Sequence, residues 1–174
     1  TEDESHRKTK DSWYKNGERH RDGDLPAVID YERNDDGTQK ISAEEWYKDG
    51  DQHRDGDLPA DIRYYRNVLN DDGTQKIRFE AWYKNDSGGR DGWKPAIIQY
   101  DINGNVIYKL YKVNGRLHNL TGPAFWDLNA DGTYTEEYYI DDEKMSKEEF
   151  DERRKKDRQV VFDALNRKNL QQEK

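Results

Sequence analysis

The side chains in this sequence best suited to metal chemistry are three histidines that recur at one position of a repeated motif. His20, His53 and His118 each follow an aromatic residue by seven positions. Imidazole is a common zinc ligand, but a zinc site needs several ligands that converge on one ion. Repeated units place equivalent residues one unit apart, so the spacing disfavours a shared zinc site and indicates hydrogen-bonding roles in turns. The chain has no cysteine, which excludes thiolate ligands and disulfides.

A second candidate for metal binding is the segment Asp-Leu-Asn-Ala-Asp-Gly at 127–132. It matches the first six positions of an EF-hand calcium loop. The twelfth position, however, is Tyr138, where an EF-hand needs a bidentate glutamate, and predicted strands flank the segment. A hairpin tip uses the same Asp, Asn and Gly residues. The sequence therefore favours a turn and leaves weak calcium binding at the hairpin tips open.

Two copies of the triplet His-Arg-Asp, at 20–22 and 53–55, match the triplet of the protein-kinase catalytic loop. No asparagine follows at the required distance, and no glycine-rich loop precedes it. None of the 38 acidic residues stands out as a catalytic pair. A single-layer β-sheet, which is the fold that the repeats described below predict, also offers no pocket that excludes water. We therefore expect no enzymatic activity, no cofactor and no small-molecule ligand.

The composition predicts an ordered chain with little conventional core. Of the 174 residues, 28 are Leu, Ile, Val or Phe, a share that is typical of disorder. Five Trp and twelve Tyr argue against disorder, because they recur at fixed positions and supply large contact areas. The formal net charge of -8 weighs against nucleic acid, which needs a basic stripe. No apolar run has the length of a transmembrane segment, so we expect a soluble protein.

The strongest feature of the sequence is an internal repeat. Residues 46–60 copy residues 13–27 almost letter for letter, and residues 70–77 copy residues 34–41. Two degraded copies begin at Trp82 and Tyr111, and a half copy ends near residue 142. The leading aromatic residue precedes a proline by 13, 13, 13 and 12 positions, whereas the distance from that proline to the next leading aromatic varies from 15 to 23. The constant distance from the aromatic residue to the proline predicts a rigid turn between repeats. The variable distance from the proline to the next aromatic residue predicts hairpins whose tips differ in length.

Each repeat shows the pattern of a β-hairpin. Ala27, Ile29 and Tyr31 alternate with Val28, Asp30 and Glu32, as in a half-buried strand. The Asn-Asp-Asp-Gly-Thr segment at 34–38 predicts a hairpin tip, and residues 39–48 predict the returning strand. The predicted fold is mainly β: an antiparallel β-hairpin repeat array, built as a twisted single-sheet meander or solenoid, with a C-terminal capping α-helix.

The predicted organisation has three parts. Residues 1–11 form a charged N-terminal tail, residues 12–145 hold about four and a half repeats, and residues 146–174 form a helix and tail. A capping box of Ser146 and Glu149 predicts a helix that begins at Lys147. Its apolar residues share roughly one side and would dock on the end of the sheet or form a partner surface; they are Phe150, Val161, Phe162 and Leu165.

These motifs resemble the variant MORN-type repeat. The shared pattern is Trp-Tyr-x-Asn-Gly, then His-Arg, then Gly-x-Leu-Pro-Ala or Gly-Pro-Ala, then an aliphatic-x-Tyr strand. The resemblance runs from residue 13 to about residue 150, and the third copy departs from it at residues 86–89, where Asp-Ser-Gly-Gly replaces the Gly and His. Such arrays are abundant in giant DNA viruses and occur in some phages and bacteria. The resemblance implies a hairpin-ladder fold and a binding or structural role, and it implies no activity.

The sequence therefore predicts a non-enzymatic structural or protein-interaction module, such as a component of a virus particle. Its partners would be other proteins, and its location would be virion-associated or cytoplasmic. A soluble effector that inhibits a host protein and a peripheral membrane-binding protein are the alternatives. Burial in an aromatic ladder is the competing and commoner use of tryptophan. The candidate contact residues are Trp13, Trp46, Trp82, Trp93, Trp126, Phe162 and Leu165.

Overall fold

The computed structural model describes residues 9–34, 37–90 and 93–172, with side chains as far as residue 160. Within these residues, ten strands form one antiparallel sheet in chain order, here called the main sheet. Its strands are β1 (Lys10–Ser12), β4 (Val28–Arg33), β5 (Gln39–Glu45), β8 (Asp61–Leu69), β9 (Gln75–Ala81), β12 (Ile97–Tyr100), β13 (Val106–Leu110), β16 (Phe125–Leu128), β17 (Tyr134–Ile140) and β18 (Glu143–Met145). The sheet is a meander that does not close, as the sequence predicts.

Short two-stranded hairpins lie between the long hairpins of the main sheet, one in each repeat. They pair β2 (Tyr14–Lys15) with β3 (Glu18–Arg19), β6 (Tyr47–Lys48) with β7 (Asp51–Gln52), β10 (Tyr83–Lys84) with β11 (Ser87–Gly88), and β14 (Lys112–Val113) with β15 (Arg116–Leu117). The chain ends in α1 (Lys147–Gln172). Each repeat therefore holds a long hairpin in the main sheet and a short hairpin outside it.

The short hairpins correct one sequence prediction. The returning strand was expected to run from residue 39 to residue 48, but β5 ends at Glu45. The N–H of Trp46 still pairs with the next strand, since it donates to the carbonyl of Ala60 at 2.8 Å, but the carbonyl of Trp46 accepts from His53 N–H at 3.0 Å and closes the short hairpin. The chain then enters the short hairpin, where Gly50 adopts a φ of 90°. The segment expected to form one inter-repeat turn is therefore a short hairpin followed by a loop.

The hairpin tips form as their sequences predict. In the second repeat, Asn70 N–H donates to the carbonyl of Thr74 at 2.8 Å, and Gly73 takes a φ of 84°. Asp72 Oδ1 accepts hydrogen bonds from both the N–H and the hydroxyl of Thr74. Asp131 does the same for Thr133 in the fourth repeat. Asp131, which belongs to the segment that resembles a calcium loop, therefore stabilises the hairpin turn.

The main sheet is a single layer, so most of its side chains are only half-buried. The residues buried to 0% exposure are alanines at the junctions between long and short hairpins, where backbones approach closely; they are Ala27, Ala60, Ala81, Ala96 and Ala124. The larger apolar cluster lies at the C-terminal end. Phe150 of α1 is 1% exposed there and packs on Tyr138, Ile140 and Met145.

Helix α1 begins at Lys147 and caps the array, as predicted. Ser146 N–H donates to Glu149 Oε2 at 2.7 Å, and Glu149 N–H donates to Ser146 Oγ at 3.1 Å, which is a complete capping box. Arg153 also contacts Glu143 of β18 at 3.2 Å. The side chains of Val161, Phe162 and Leu165 lie outside the described residues. No helix in the described part of the chain is both long enough and apolar enough to cross a membrane.

At the other end, the main sheet begins earlier than the sequence predicts. Lys10 and Asp11 were expected in the charged tail, but they form β1 with Ser12 and pair with β4. Tyr31 hydroxyl donates to Asp11 Oδ2 at 2.9 Å, which ties this edge strand to its neighbour. Residues 1–8 of the predicted tail lie outside the described residues.

Candidate interaction surface

One end of the main sheet carries a row of loops, one in each repeat. Each loop follows a short hairpin and leads into the alanine that begins the next long hairpin. Because the sheet is a meander, equivalent loops lie at the same end of the strands, two strands apart. We call this row the loop rim; its residues are 20–26, 53–59, 89–90 with 93–95, and 118–123.

The loop rim is built on arginines that stack on the tryptophans leading each repeat. The guanidinium carbon lies 3.8 Å from the ring centre for Arg21 over Trp13 and for Arg54 over Trp46. The same distance is 3.9 Å for Arg90 over Trp82. A cation over an indole face is attracted by the ring quadrupole. This contact covers each tryptophan from within its own repeat; the three pairs are therefore equivalent.

The same arginines join successive loops by forked ion pairs. Arg54 donates through Nε and Nη2 to the carboxylate of Asp24 at 2.6 and 2.8 Å. One repeat later, Arg90 makes the same fork with Asp57 at 2.5 and 3.1 Å. Paired hydrogen bonds of this kind fix geometry as well as charge. The second and third loops are therefore each held to the loop before them.

The histidines join the repeats through backbone groups. His20 Nδ1 accepts a hydrogen bond from Asp49 N–H at 3.0 Å, and His53 Nδ1 accepts one from Asn85 N–H at 3.3 Å. Nε2 of the same rings lies beside an aspartate of its own loop, at 3.0 Å for His20 and 2.9 Å for His53. His118 Nδ1 lies 2.9 Å from Oδ1 and 3.3 Å from the backbone nitrogen of Asp141, which joins it to the half repeat. These contacts agree with the predicted hydrogen-bonding role in turns.

The third repeat has Gly89 in place of a histidine, and the local packing explains the change. A Cβ on Gly89 would lie 3.2 Å from the backbone nitrogen of Asn114 and 3.3 Å from the carbonyl oxygen of Lys112. The next short hairpin approaches so closely that Arg90 N–H donates directly to that carbonyl at 3.1 Å. A backbone contact therefore replaces the histidine bridge. Among the described residues, no cluster of His, Asp or Glu is arranged to hold a metal ion.

The carboxylates of the loop rim are held in the ionised state. Hydrogen bonds from Arg90 and Lys94 lower the pKa of Asp57 to about 2. A hydrogen bond from Arg54 lowers the pKa of Asp24, and hydrogen bonds from His53 and Lys48 lower that of Asp55. A general acid at neutral pH needs a raised carboxyl pKa, which is the opposite direction. The rim carboxylates therefore serve as fixed charges and hydrogen-bond acceptors.

Two grooves run between successive loops of the rim. The first has a volume of about 510 Å³; Trp46 and Tyr47 line it together with Leu25 and Leu58. The second, of about 400 Å³, is lined by Trp82 and Tyr83 and again by Leu58. Asp55 lines both grooves. The loop at residues 53–59 is thus a shared wall, and the two grooves repeat at the spacing of the array.

Each loop of the rim also exposes one large apolar side chain to solvent. The exposed fractions are 50% for Leu25, 41% for Leu58, 69% for Trp93 and 52% for Leu120. The sequence reasoning missed the three leucines. The available signal was that Leu25 and Leu58 stand at the same position of two near-identical turns, beside a proline, where a strand face cannot bury them. Every loop of the rim therefore exposes one large apolar side chain at the same end of the sheet.

The structure places the predicted contact residues in different environments. Trp46 and Trp82 are 6% and 7% exposed beneath their arginines, so they support the rim from below. Trp13 is half-buried under Arg21. Trp126 is half-buried in the main sheet and stacks on Tyr134 at 4.6 Å. Trp93 lies openly on the rim. The side chains of Phe162 and Leu165 lie outside the described residues.

Comparison with family models, with curated proteins and with solved structures found no match to this chain. The likeness to the variant MORN-type repeat therefore stays a resemblance of motifs. The function is therefore inferred from the contacts and exposed side chains of the loop rim.

Proposed function

We propose that this protein is a non-enzymatic interaction module that binds another protein along the loop rim. The observation that carries the proposal is the row of exposed apolar side chains, one per loop, formed by Leu25, Leu58, Trp93 and Leu120. Exposed apolar residues cost little singly, but apolar side chains gathered at one end of a sheet, one in each successive loop, are typical of a contact surface. Grooves between the loops add concave sites for a partner's side chains.

The construction of the rim supports this function. Arginine forks join the first three loops, and histidines tie the first two loops to the next short hairpin. Loops that are already ordered lose little conformational entropy when a partner binds. The rim is therefore suited to recognition. The lowered pKa of its aspartates leaves them charged at physiological pH, which favours polar contacts around an apolar row.

The proposal is tested by selecting ligands without assuming their nature. Peptides of random sequence are displayed on phage and selected against the wild-type protein. Selected peptides are then measured against a Leu25→Asp/Leu58→Asp double variant and against Leu69→Asp. Leu69 is 47% exposed, like the rim leucines, but it ends β8 near a hairpin tip at the opposite end of the sheet.

We expect the selected peptides to bind the wild type and Leu69→Asp equally and to lose at least about tenfold in affinity for the double variant. Circular dichroism and a thermal melt check that the variants fold. Selected peptides that bind all three proteins equally would overturn the proposal. Membership of a virus particle stays a prediction from the resemblance.

A further inference from the structure

We infer that the partner of the loop rim is a polyproline II segment that carries an apolar side chain at every third residue and a basic residue at one end. This inference rests on the proposed function, because it names the class of ligand that the same rim accepts. Three properties of the rim support it: the spacing of its grooves, their lining and their exposed charges.

The spacing of the grooves matches the pitch of a polyproline II helix. Neighbouring strands lie about 4.8 Å apart, so loops two strands apart repeat at about 9.6 Å. A polyproline II helix has three residues per turn and rises about 3.1 Å per residue, so its faces repeat at about 9.3 Å. Every third residue of such a segment can therefore enter successive grooves. A β-strand fails this match, because its third residue points to the opposite side.

An α-helix repeats a face after seven residues, about 10.5 Å, but its width of about 10–12 Å exceeds the spacing of about 9.6 Å between the grooves. The loop at residues 53–59 divides the two grooves, whose volumes are about 510 and 400 Å³. A helix would lie across the loop tips and leave the grooves unfilled. A narrow, extended ligand can place a side chain on each side of Leu58.

The lining of the grooves has the chemistry that polyproline II segments use. Each groove combines a half-buried tyrosine with a leucine wall, above a buried tryptophan: Tyr47 and Leu25 over Trp46 in the first, and Tyr83 and Leu58 over Trp82 in the second. Aromatic-lined grooves bind proline-rich segments, whose stiff backbone has little entropy to lose. The two grooves repeat this lining in the same order.

The hydrogen-bonding groups beneath the grooves differ in one respect. Trp82 Nε1–H donates to the carbonyl of Asp57 at 3.1 Å. The equivalent Trp46 Nε1–H is buried and has no acceptor among the described residues. A polyproline II segment has no internal hydrogen bonds, so its carbonyls are free to accept. A ligand carbonyl that reached Trp46 Nε1–H would satisfy this donor.

The charges at the mouths of the grooves fit a basic residue at one end of the ligand, because Asp22 and Asp55 lie in adjacent loops about 9.6 Å apart. Asp22 and Asp55 have side-chain exposures of 78% and 80%. Their lysine partners, Lys15 and Lys48, are themselves 51% and 54% exposed, at 2.9 and 3.4 Å. Exposed lysine pairs contribute little free energy, whereas an arginine can bind a carboxylate with two hydrogen bonds. An arginine of the ligand can therefore replace either lysine.

Four labelled peptides test the inference by fluorescence anisotropy. The first is Arg-Pro-Leu-Pro-Pro-Leu-Pro-Pro-Leu-Pro-Arg, with leucines three apart. The second, Arg-Pro-Leu-Pro-Leu-Pro-Leu-Pro-Pro-Pro-Arg, has the same composition with leucines two apart. The third replaces both arginines of the first with glutamates. The fourth is an alanine-rich helical peptide with leucines seven apart and an arginine at each end.

We expect the first peptide to bind at least about tenfold more tightly than the second and the third. Leu58→Asp should weaken its binding by at least about tenfold, Leu25→Asp should weaken it less because Leu25 lines only the first groove, and Leu69→Asp should leave it unchanged. Tighter binding of the helical peptide with the same loss in Leu58→Asp would overturn the inference and leave the proposed function standing. If no peptide responds to Leu58→Asp and the ligands selected from the random library do not respond either, both proposals fail.

Discussion

At the scale of single residues, an arginine of the loop rim makes two kinds of contact, one within its own repeat and one with the repeat before. Arg54 stacks on Trp46 within its repeat and forks to Asp24 in the repeat before. Lysine keeps the charge but has neither a planar face nor a fork. The repeats supply a control, since Arg21 stacks on Trp13 at the same distance and donates to the carbonyl of Pro26 within its own loop.

We predict that Arg54→Lys lowers the free energy of unfolding by about 1–2 kcal/mol, because it removes the stack and the fork together. Arg21→Lys should lower it by roughly half as much, since it removes the stack but no fork to a preceding loop. Urea unfolding followed by circular dichroism measures both values. Equal destabilisation by the two substitutions would show that the fork between repeats contributes nothing.

Asp57 gives the rim a dependence on acid pH. Its folded-state pKa of about 2 lies below the ordinary value of 3.8, because Arg90 and Lys94 donate hydrogen bonds to its carboxylate. A lowered folded-state pKa contributes stability that is complete above the ordinary pKa and is lost as pH falls through the folded value. We therefore expect Asp57→Asn to be less stable than wild type at pH 6, and the difference to shrink between pH 4 and pH 2. Urea midpoints across this range measure it; a constant difference would contradict the assignment.

At the scale of elements, the long hairpins could be predicted from the sequence because local residues determine them. The Asn-Asp-Asp-Gly-Thr tip and the alternation of Ala60, Ile62 and Tyr64 act within one repeat. The short hairpins could not be predicted in this way. Their strands are two residues long, too short to show a period, and the hairpin of β6 and β7 is closed by a hydrogen bond from His53 N–H to the carbonyl of Trp46.

The candidate site divides in the same way. The sequence marks the turns that form the loop rim, since Gly56 and Pro59 recur in them. The sequence does not show which side chains of these turns are buried by their neighbours and which are exposed to solvent. Trp46 and Trp82 were predicted as contacts and lie beneath arginines, while the leucines of the same loops are exposed. Exposure in a repeat array depends on the neighbouring unit, which a single motif does not contain.

A glycine at a hairpin tip gives a prediction at this scale. Gly73 has a φ of 84°, and a Cβ there would meet no atom within 4 Å, so Gly73→Ala tests backbone strain without a clash. We expect Gly73→Ala to destabilise the protein by about 1 kcal/mol, because alanine disfavours positive φ. Gly122→Ala is the control, since Gly122 lacks positive φ and its Cβ would lie 4.0 Å from Asn119 Nδ2. Thermal melts should separate the two variants; equal effects would argue against strain at the tip.

At the scale of the whole molecule, the array has two different ends. The N-terminal end is the edge strand β1, and the C-terminal end is closed by the half repeat and α1. Asp142 N–H donates to the carbonyl of Leu117 at 2.9 Å. The equivalent bond between the first two repeats is donated by Gly50 N–H to the carbonyl of Arg19. The half repeat therefore supplies the contacts of a full neighbour, and Phe150 covers the last apolar surface beyond it.

Because each repeat contacts mainly its neighbours, damage to this cap should stay local. Phe150→Ala removes a side chain that is 1% exposed and lies 4.9 Å from the ring of Tyr138, at a cost of about 3–4 kcal/mol to that end. Hydrogen exchange measured by mass spectrometry should show faster exchange in β17, β18 and α1, with β4 and β5 unchanged. Val160→Ala, on the same helix at a residue that is 67% exposed, should change none of these regions. A uniform increase across all strands in Phe150→Ala would mean that the molecule unfolds as one cooperative unit, so that the cap stabilises the loop rim as well.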